Sequence, residues 1–341
     1  MDGLLVVDKP SGPTSHDVVA RMRRTLHEKR IGHTGTLDPM ATGLLLLVLG
    51  KAARLAKFLS ASDKSYDAIV RFGFATDTAD AQGRPVGPVV EHAAPPRDAI
   101  DAALSAFRGT FLQQPPAYSA KKIDGQRSYT LARSARLEAS PNPALPALPA
   151  PPAFPAPVSV TTYAIRIVNL EGDHVTLSVD CSAGFYIRSL AHDLGVRLGM
   201  GAHLTALRRT RIGDFMLDRA LALDALEQNP AAAAQALVPL SGALASWPSV
   251  VLTTDGVVRV SHGQDVRPID HAPTRLRPHI DPAGFGEARQ SAEGATAAAH
   301  SHQPFVGSPQ PFVRLLDSRG ELLAIAEPTP CGALHPSVVL M

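Results

Sequence analysis

The sequence predicts an α+β fold built on a mostly antiparallel mixed sheet, followed by a small β domain. Three observations carry this. Strand-like and helix-like stretches mix without the regular alternation of a parallel sheet. Two β-branched runs flank Glu171-Gly172-Asp173, a hairpin signal. Short strand-like pieces gather near the C-terminus on both sides of a stretch without periodicity.

Residues 3–7 read as a short buried strand, and Thr14-Ser15 offers an N-cap to a helix whose apolar face carries Val18, Val19, Met22 and Leu26. Residues 44–49 are continuously apolar but too short for a helix of that hydrophobicity, so they read as a central strand, with a helix over 53–59 behind it. Tyr66, Ala68, Val70, Phe72 and Phe74 alternate with mostly polar neighbours, the pattern of a half-buried strand. Residues 97–107 read as a helix, 158–168 and 174–181 as the hairpin strands, and 188–198 as a further helix. The Ala-rich stretch 230–244 reads as a helix leading to the tail, whose strand-like pieces are 250–252, 257–260, 312–316 and 322–326. Two units are expected, residues 1–245 and 246–341, each with an insertion: the Pro/Ala tract 140–157, which cannot complete a ladder or a helix, and the aperiodic stretch at about 270–309.

Composition excludes several classes. A chain of 341 residues suits two or three units, and 33 Lys and Arg against 31 Asp and Glu leave a net charge of +2, so any basic surface is local. Cys181 and Cys331 are too few for a disulfide framework and lack CxxC spacing, which points to the reducing cytoplasm. No signal-peptide pattern opens the chain, and no apolar run approaches the length a bilayer requires, so neither secretion nor a membrane is expected.

The conspicuous motif is GHTGTLDPMATGLLLLVLGK, residues 32–51. It is not a phosphate loop: six residues separate Gly43 from Gly50, and Ala52 stands where Ser or Thr would hold magnesium. His33 and Asp38 have no common metal-ligand spacing, and GxSxG is absent. One carboxylate, Asp38, remains on a Gly/Thr/Pro turn beside a histidine, and Asp before Pro is also an ordinary turn initiator. A second motif, CSAGFYIRSLAHD, sets Tyr186 and Arg188 two apart at a helix entry, which equally suits a buried tyrosine and a solvated arginine.

Taken together and in order, DKPSGPTSHDVV (8–19), GHTGTLDPMATGLL (32–45), DKSY (63–66), PPAYSAKKIDG (115–125), CSAGFYIRSLAHDLG (181–195) and GAHLTALRRTRIG (201–213) resemble the TruB family of tRNA pseudouridine-55 synthases. SHGQDV (261–266) and FVRLLDSRGELLAIAE (312–327) look like the PUA-type RNA-binding domain many members carry, a small β-barrel. The resemblance implies a pseudouridine synthase fold with a central cleft that isomerises a T-loop uridine by base flipping. No cofactor and no metal are implied, and the chain is expected to act as a monomer.

By resemblance Asp38 is the catalytic carboxylate, as nucleophile or as base, Arg188 the cation that pairs with it, and Tyr66 the ring that stacks on the flipped base. His33 matches the residue that occupies the vacated place of the uridine, Tyr186 and Leu207 match residues lining the pocket, and Lys9 and Lys64 complete the substrate-binding set. The partner is the T-arm stem-loop of tRNA. Phosphate contacts are expected from Lys9, Arg21, Arg23, Arg24, Lys29 and Arg30, from Lys121, Lys122, Arg127 and Arg133, and from Arg208, Arg209 and Arg211. Two rivals remain: a non-catalytic RNA-binding or folding protein on this scaffold, and a synthase acting on another RNA.

Overall fold

The computed structural model describes residues 1–87, 89, 94–116, 122–123, 126–127, 155–270 and 312–341. These form two compact units, Met1–Pro239 and Leu240–Met341. Most of the Pro/Ala tract, the second insertion beyond Asp270, and residues 117–121 and 124–125 of the fourth motif lie outside the described residues.

The first unit opens with β1 (Gly3–Lys9), α1 (Ser15–Thr25), β2 (Ile31–His33), β3 (Thr42–Leu49), α2 (Ala56–Ser60) and β4 (Lys64–Phe72). Two short ribbons, β5 (Ala75–Thr76) with β6 (Pro85–Val86) and β8 (Lys122–Ile123) with β9 (Gln126–Arg127), flank α3 (Arg97–Leu104) and β7 (Gly109–Gln113). The hairpin β10 (Val158–Glu171) and β11 (His174–Cys181), then α4 (Ile187–Arg197) and β12 (Ala202–Ile212) follow. The unit closes with β13 (Phe215–Met216), β14 (Leu221–Ala222), α5 (Leu223–Gln228) and α6 (Pro230–Gln235).

One ten-stranded sheet runs β14-β1-β3-β12-β4-β11-β10-β7, with β2 on β3 and β13 on β12. It is mostly antiparallel: β1 with β14 and β3 with β12 are parallel, and the other pairs run oppositely. The burial of each strand follows its place. β3 is buried along almost its whole length, as its unbroken apolar sequence requires, whereas β4 and β11 alternate buried and partly exposed residues. Helix residues Val18, Met22, Ile100, Leu104, Leu190 and Leu194 share a single core with sheet residues Leu45, Leu47, Val70 and Leu177. A capping box between Thr14 and Asp17 starts α1.

Three expectations need correction. Phe74 is not in the strand, because Gly73 at φ +110° turns the chain after Phe72. The Ala-rich stretch is not one helix: it holds the short α6 and a 3-10 turn at Leu240–Gly242, and between them Val238 exchanges two backbone hydrogen bonds of 2.8 Å with Leu4 of β1. In the second unit, residues 257–260 are helical: α7 (Thr254–Ser261) is capped by Thr253, whose Oγ1 accepts the Gly256 N–H at 3.2 Å. This helix packs on a four-stranded sheet, β15 (Ser249–Val251), β16 (Val313–Leu316), β17 (Leu322–Pro328) and β18 (Leu334–Val339), with Val260 and Leu315 in its own core. No helix among the described residues is long and apolar enough to cross a membrane.

Candidate active site

The loop between β2 and β3, residues 34–41, carries Asp38 as the first residue of a tight turn closed by the Ala41 N–H on the Asp38 carbonyl at 3.1 Å. Pro39 follows Asp38, which presets the turn. The first motif holds this loop from three sides. Ser15, fully buried at the start of α1, accepts the Leu37 N–H on Oγ at 2.8 Å and donates to the Leu37 carbonyl at 3.2 Å. Gly12 N–H reaches the Pro39 carbonyl at 2.8 Å. Lys9 spends its ammonium on the carbonyls of Pro10, Pro39 and Ala41 at 2.9, 3.2 and 2.7 Å.

Arg209 fixes the other end of the loop. Its buried guanidinium donates to the Gly35 carbonyl at 3.0 Å and to the Leu44 carbonyl at 2.8 Å. Here β3 and β12 come so close that a Cβ on Gly43 would lie 2.3 Å from the Arg209 carbonyl oxygen, and Gly43 has φ +97°. Glycine is required there on both counts.

Opposite Asp38 stands Arg188, in the first turn of α4. The entry to that helix is set by Gln113 of β7, whose side-chain amide bonds both the N–H and the carbonyl of Tyr186, at 2.8 and 3.0 Å. Arg188 forks onto the carboxylate, Nε to Oδ2 at 2.9 Å and Nη2 to Oδ1 at 3.2 Å. Its Nη1 donates to the Thr78 carbonyl at 3.1 Å and lies 3.8 Å from Asp80. The side chains of Arg188 and Asp80 are each 7% exposed, that of Asp38 33%. A planar fork occupied on every side keeps one orientation, and the carboxylate it grips keeps one open flank.

Tyr66 lies on β4 in register with Arg209, buried in the core. Burial pushes its hydroxyl upward, against the nearby Arg209. Leu207 is buried on β12 one residue before Arg208, and its carbonyl accepts from Thr42 Oγ1 at 3.4 Å. His33 ends β2, half-buried, with Nδ1 accepting the Gly35 N–H at 3.3 Å. Burial, with His16 and Arg209 adding to it, lowers its pKa to about 4, so the ring is neutral at pH 7.

The lysines fare differently from the expectation. Lys9 and Lys64 are buried, and desolvation lowers each to about 8. Lys64 bonds the Ser60 carbonyl at 3.0 Å, so both ammonium groups brace loops. Arg209 is likewise buried, Arg208 grips Asp8 at 3.1 and 2.7 Å, and Arg211 bonds Ser65 at 2.8 Å. Arg21 pairs with Glu227 and Asp224 of the α5 region. The expected phosphate contacts at Lys121 and Arg133 lie outside the described residues. Among the described residues no three His, Cys, Asp or Glu side chains converge as metal ligands.

Residues 23–144 match the family described as TruB family pseudouridylate synthase (N terminal domain), and residues 188–245 match the tRNA pseudouridylate synthase B C-terminal domain. A tRNA pseudouridine synthase B of Solibacter usitatus is 39% identical over 100% of both chains. One from Azoarcus sp. is 42% identical over 78% of this chain and 84% of its own. The chain belongs to the TruB family of pseudouridylate synthases. Its fold is similar to that of a chain in the structure of an H/ACA RNP bound to a substrate RNA containing 2'-deoxyuridine, with 24% identity and a TM-score of 0.66 over 99% of this chain and 85% of that one.

Within this TruB chain three further residues belong to the candidate site's framework, Asp80, Ser15 and Gln113, and Arg209, expected at phosphate, joins them. Asp80 sits in ATDTADAQG beside Asp77, and spacing alone does not separate the two. Ser15 is legible as a helix start, but its grip on Leu37 depends on a partner 22 residues away.

Proposed function

We propose that this chain isomerises a uridine to pseudouridine in the T loop of tRNA, at position 55, with Asp38 at the reacting sugar. The observation that carries the reading is the forked Arg188–Asp38 pair, a carboxylate held in one orientation with an open flank. The reaction breaks the bond from the ribose to N1 of uracil, forms one to C5, releases the C5 hydrogen to solvent as a proton and takes one up at N1, so substrate and product are isomers. A carboxylate can open it by attacking the sugar or by taking a sugar proton.

In either case the carboxylate works charged in a pocket closed by RNA, and a permanently protonated guanidinium is the group suited to oppose it there. Arg188 has that role. Reaching the pocket requires extrusion of the base, at a cost of a few kcal/mol. A neutral His33 ring filling the vacated stack and Tyr66 stacking on the extruded base offset part of it, and Tyr186 and Leu207 close the apolar wall. Lys9, Lys64 and Arg209 act at one remove, by holding the loops that present these groups. The tail unit is proposed as a PUA-like RNA-binding domain.

The test is tritium release from a T-arm stem-loop labelled at C5 of its uridines, with wild type and Asp38→Asn side by side. Release by wild type alone is expected. Release by both removes Asp38 from the chemistry, and release by neither, with tight binding by both, makes the chain an RNA-binding protein.

A further inference from the structure

The first turn of α1 touches the site twice. Buried Ser15 clasps Leu37, the residue before Asp38. Its neighbour His16 points the other way, exposed, and sets its ring edge-to-face against His33, with centroids 5.2 Å apart and planes at 86°. His33 is thereby held on two sides, by the Gly35 N–H on Nδ1 and by the His16 ring. The amide bond makes Nδ1 an acceptor, so the ring proton is on Nε2.

We infer that His16 is a positioning residue for the reaction: it holds the His33 ring at a fixed place relative to Asp38, so that the group filling the stack and the group acting on the sugar move as one unit. This rests on the role of His33 proposed above. What the contact supplies is order. A ring that replaces a base must be in place before the base leaves, and a side chain bonded through one amide on one edge still rotates. A perpendicular aromatic contact on the other side removes that freedom. The same helical turn, through Ser15, fixes the loop of Asp38, so α1 sets the distance between the two. The action of His16 passes through the His33 ring it touches.

The experiment is a double-mutant cycle with His16→Ala, His33→Ala and both, plus His16→Phe, read as single-turnover tritium release and as stem-loop Kd. The His16→Ala rate is expected to fall about threefold to tenfold, the scale of one ring pair, with Kd changed much less. His16→Phe, which keeps an aromatic edge, restores the rate to near wild type. In the His33→Ala background, removing His16 costs nothing further. An equal loss in both backgrounds, or a Phe variant as slow as the Ala one, overturns the inference and makes His16 an independent RNA contact. Absence of release from wild type overturns the functional reading itself, so the two failures are told apart.

Discussion

Replacing Arg188 with methionine tests whether the cation serves fold and chemistry separately. The variant removes the fork from Asp38 and leaves Asp80 behind without a facing cation. Breaking a buried pair costs about 3–5 kcal/mol when the surviving charge is uncompensated, but the two carboxylates differ. Asp38 is 33% exposed, so water takes over and little of the loss comes from it. Asp80 is 7% exposed and cannot be hydrated in the same way. It keeps two donors, the Thr78 hydroxyl at 2.6 Å and the Gln82 N–H at 3.0 Å, and Arg188 is 3.8 Å away, beyond a hydrogen bond. The loss therefore falls below that range, at about 2–3 kcal/mol by urea denaturation. Adding Asp80→Asn keeps an acceptor for both donors and removes the charge, so about 2 kcal/mol should return. Tritium release should stay lost in the double variant, because the amide supplies no cation to Asp38. Asp80→Asn leaving the Arg188→Met variant unchanged or less stable would refute the electrostatic account of Asp80. Turnover surviving in Arg188→Met within a few fold would refute that of Asp38.

Other perturbations separate the framework from the chemistry. Ser15→Ala strands the buried Leu37 N–H and should lower stability by about 1–3 kcal/mol while slowing single-turnover release more than it weakens stem-loop binding; an unchanged rate would show that the clasp on the loop is unneeded. His33 has a pKa lowered from 6.5 to about 4 by burial, so the unfolded chain binds the extra proton and stability should fall as pH drops from about 6.5 towards 4. His33→Phe should flatten that slope in denaturation measured across the window, and an unaltered slope would assign it to other groups. Gly43→Ala puts a methyl 2.3 Å from the Arg209 carbonyl at φ +97°, and a soluble variant with a wild-type thermal midpoint would show that β3 and β12 can part there at no cost.

Much of the site is legible along the chain because it is built from contiguous pieces. Asp38 with its turn, Tyr66 on an alternating strand and Arg188 at a helix start each carry a local signal. The residues that escape such reading act across sequence. Asp80 meets Arg188 from 108 positions away, as the residue numbers show, and Arg209 reaches Gly35 across 174. Lys9 and Arg209 look from their basic clusters like contacts for phosphate, and Lys64 is expected in the substrate-binding set, yet the strands that carry all three turn them inward, and their charges hold carbonyls. Residues 257–260 show the converse: a run of β-branched residues suggests a strand, and the Thr253 cap with one buried face makes it helix.

Local patterning thus determined most of the strands, helices and turns of the first unit, and the order of the motifs determined the family. Those signals act over a few residues, where backbone sterics, capping and hydrophobic period decide the outcome. Which charged groups face solvent and which are held inside was decided only by the tertiary fold, with β3 laid parallel against β12 and α4 brought up to the Asp38 loop. The reason is physical: the worth of a charge depends on its burial and on its partner, and both are set by chain segments far apart in sequence.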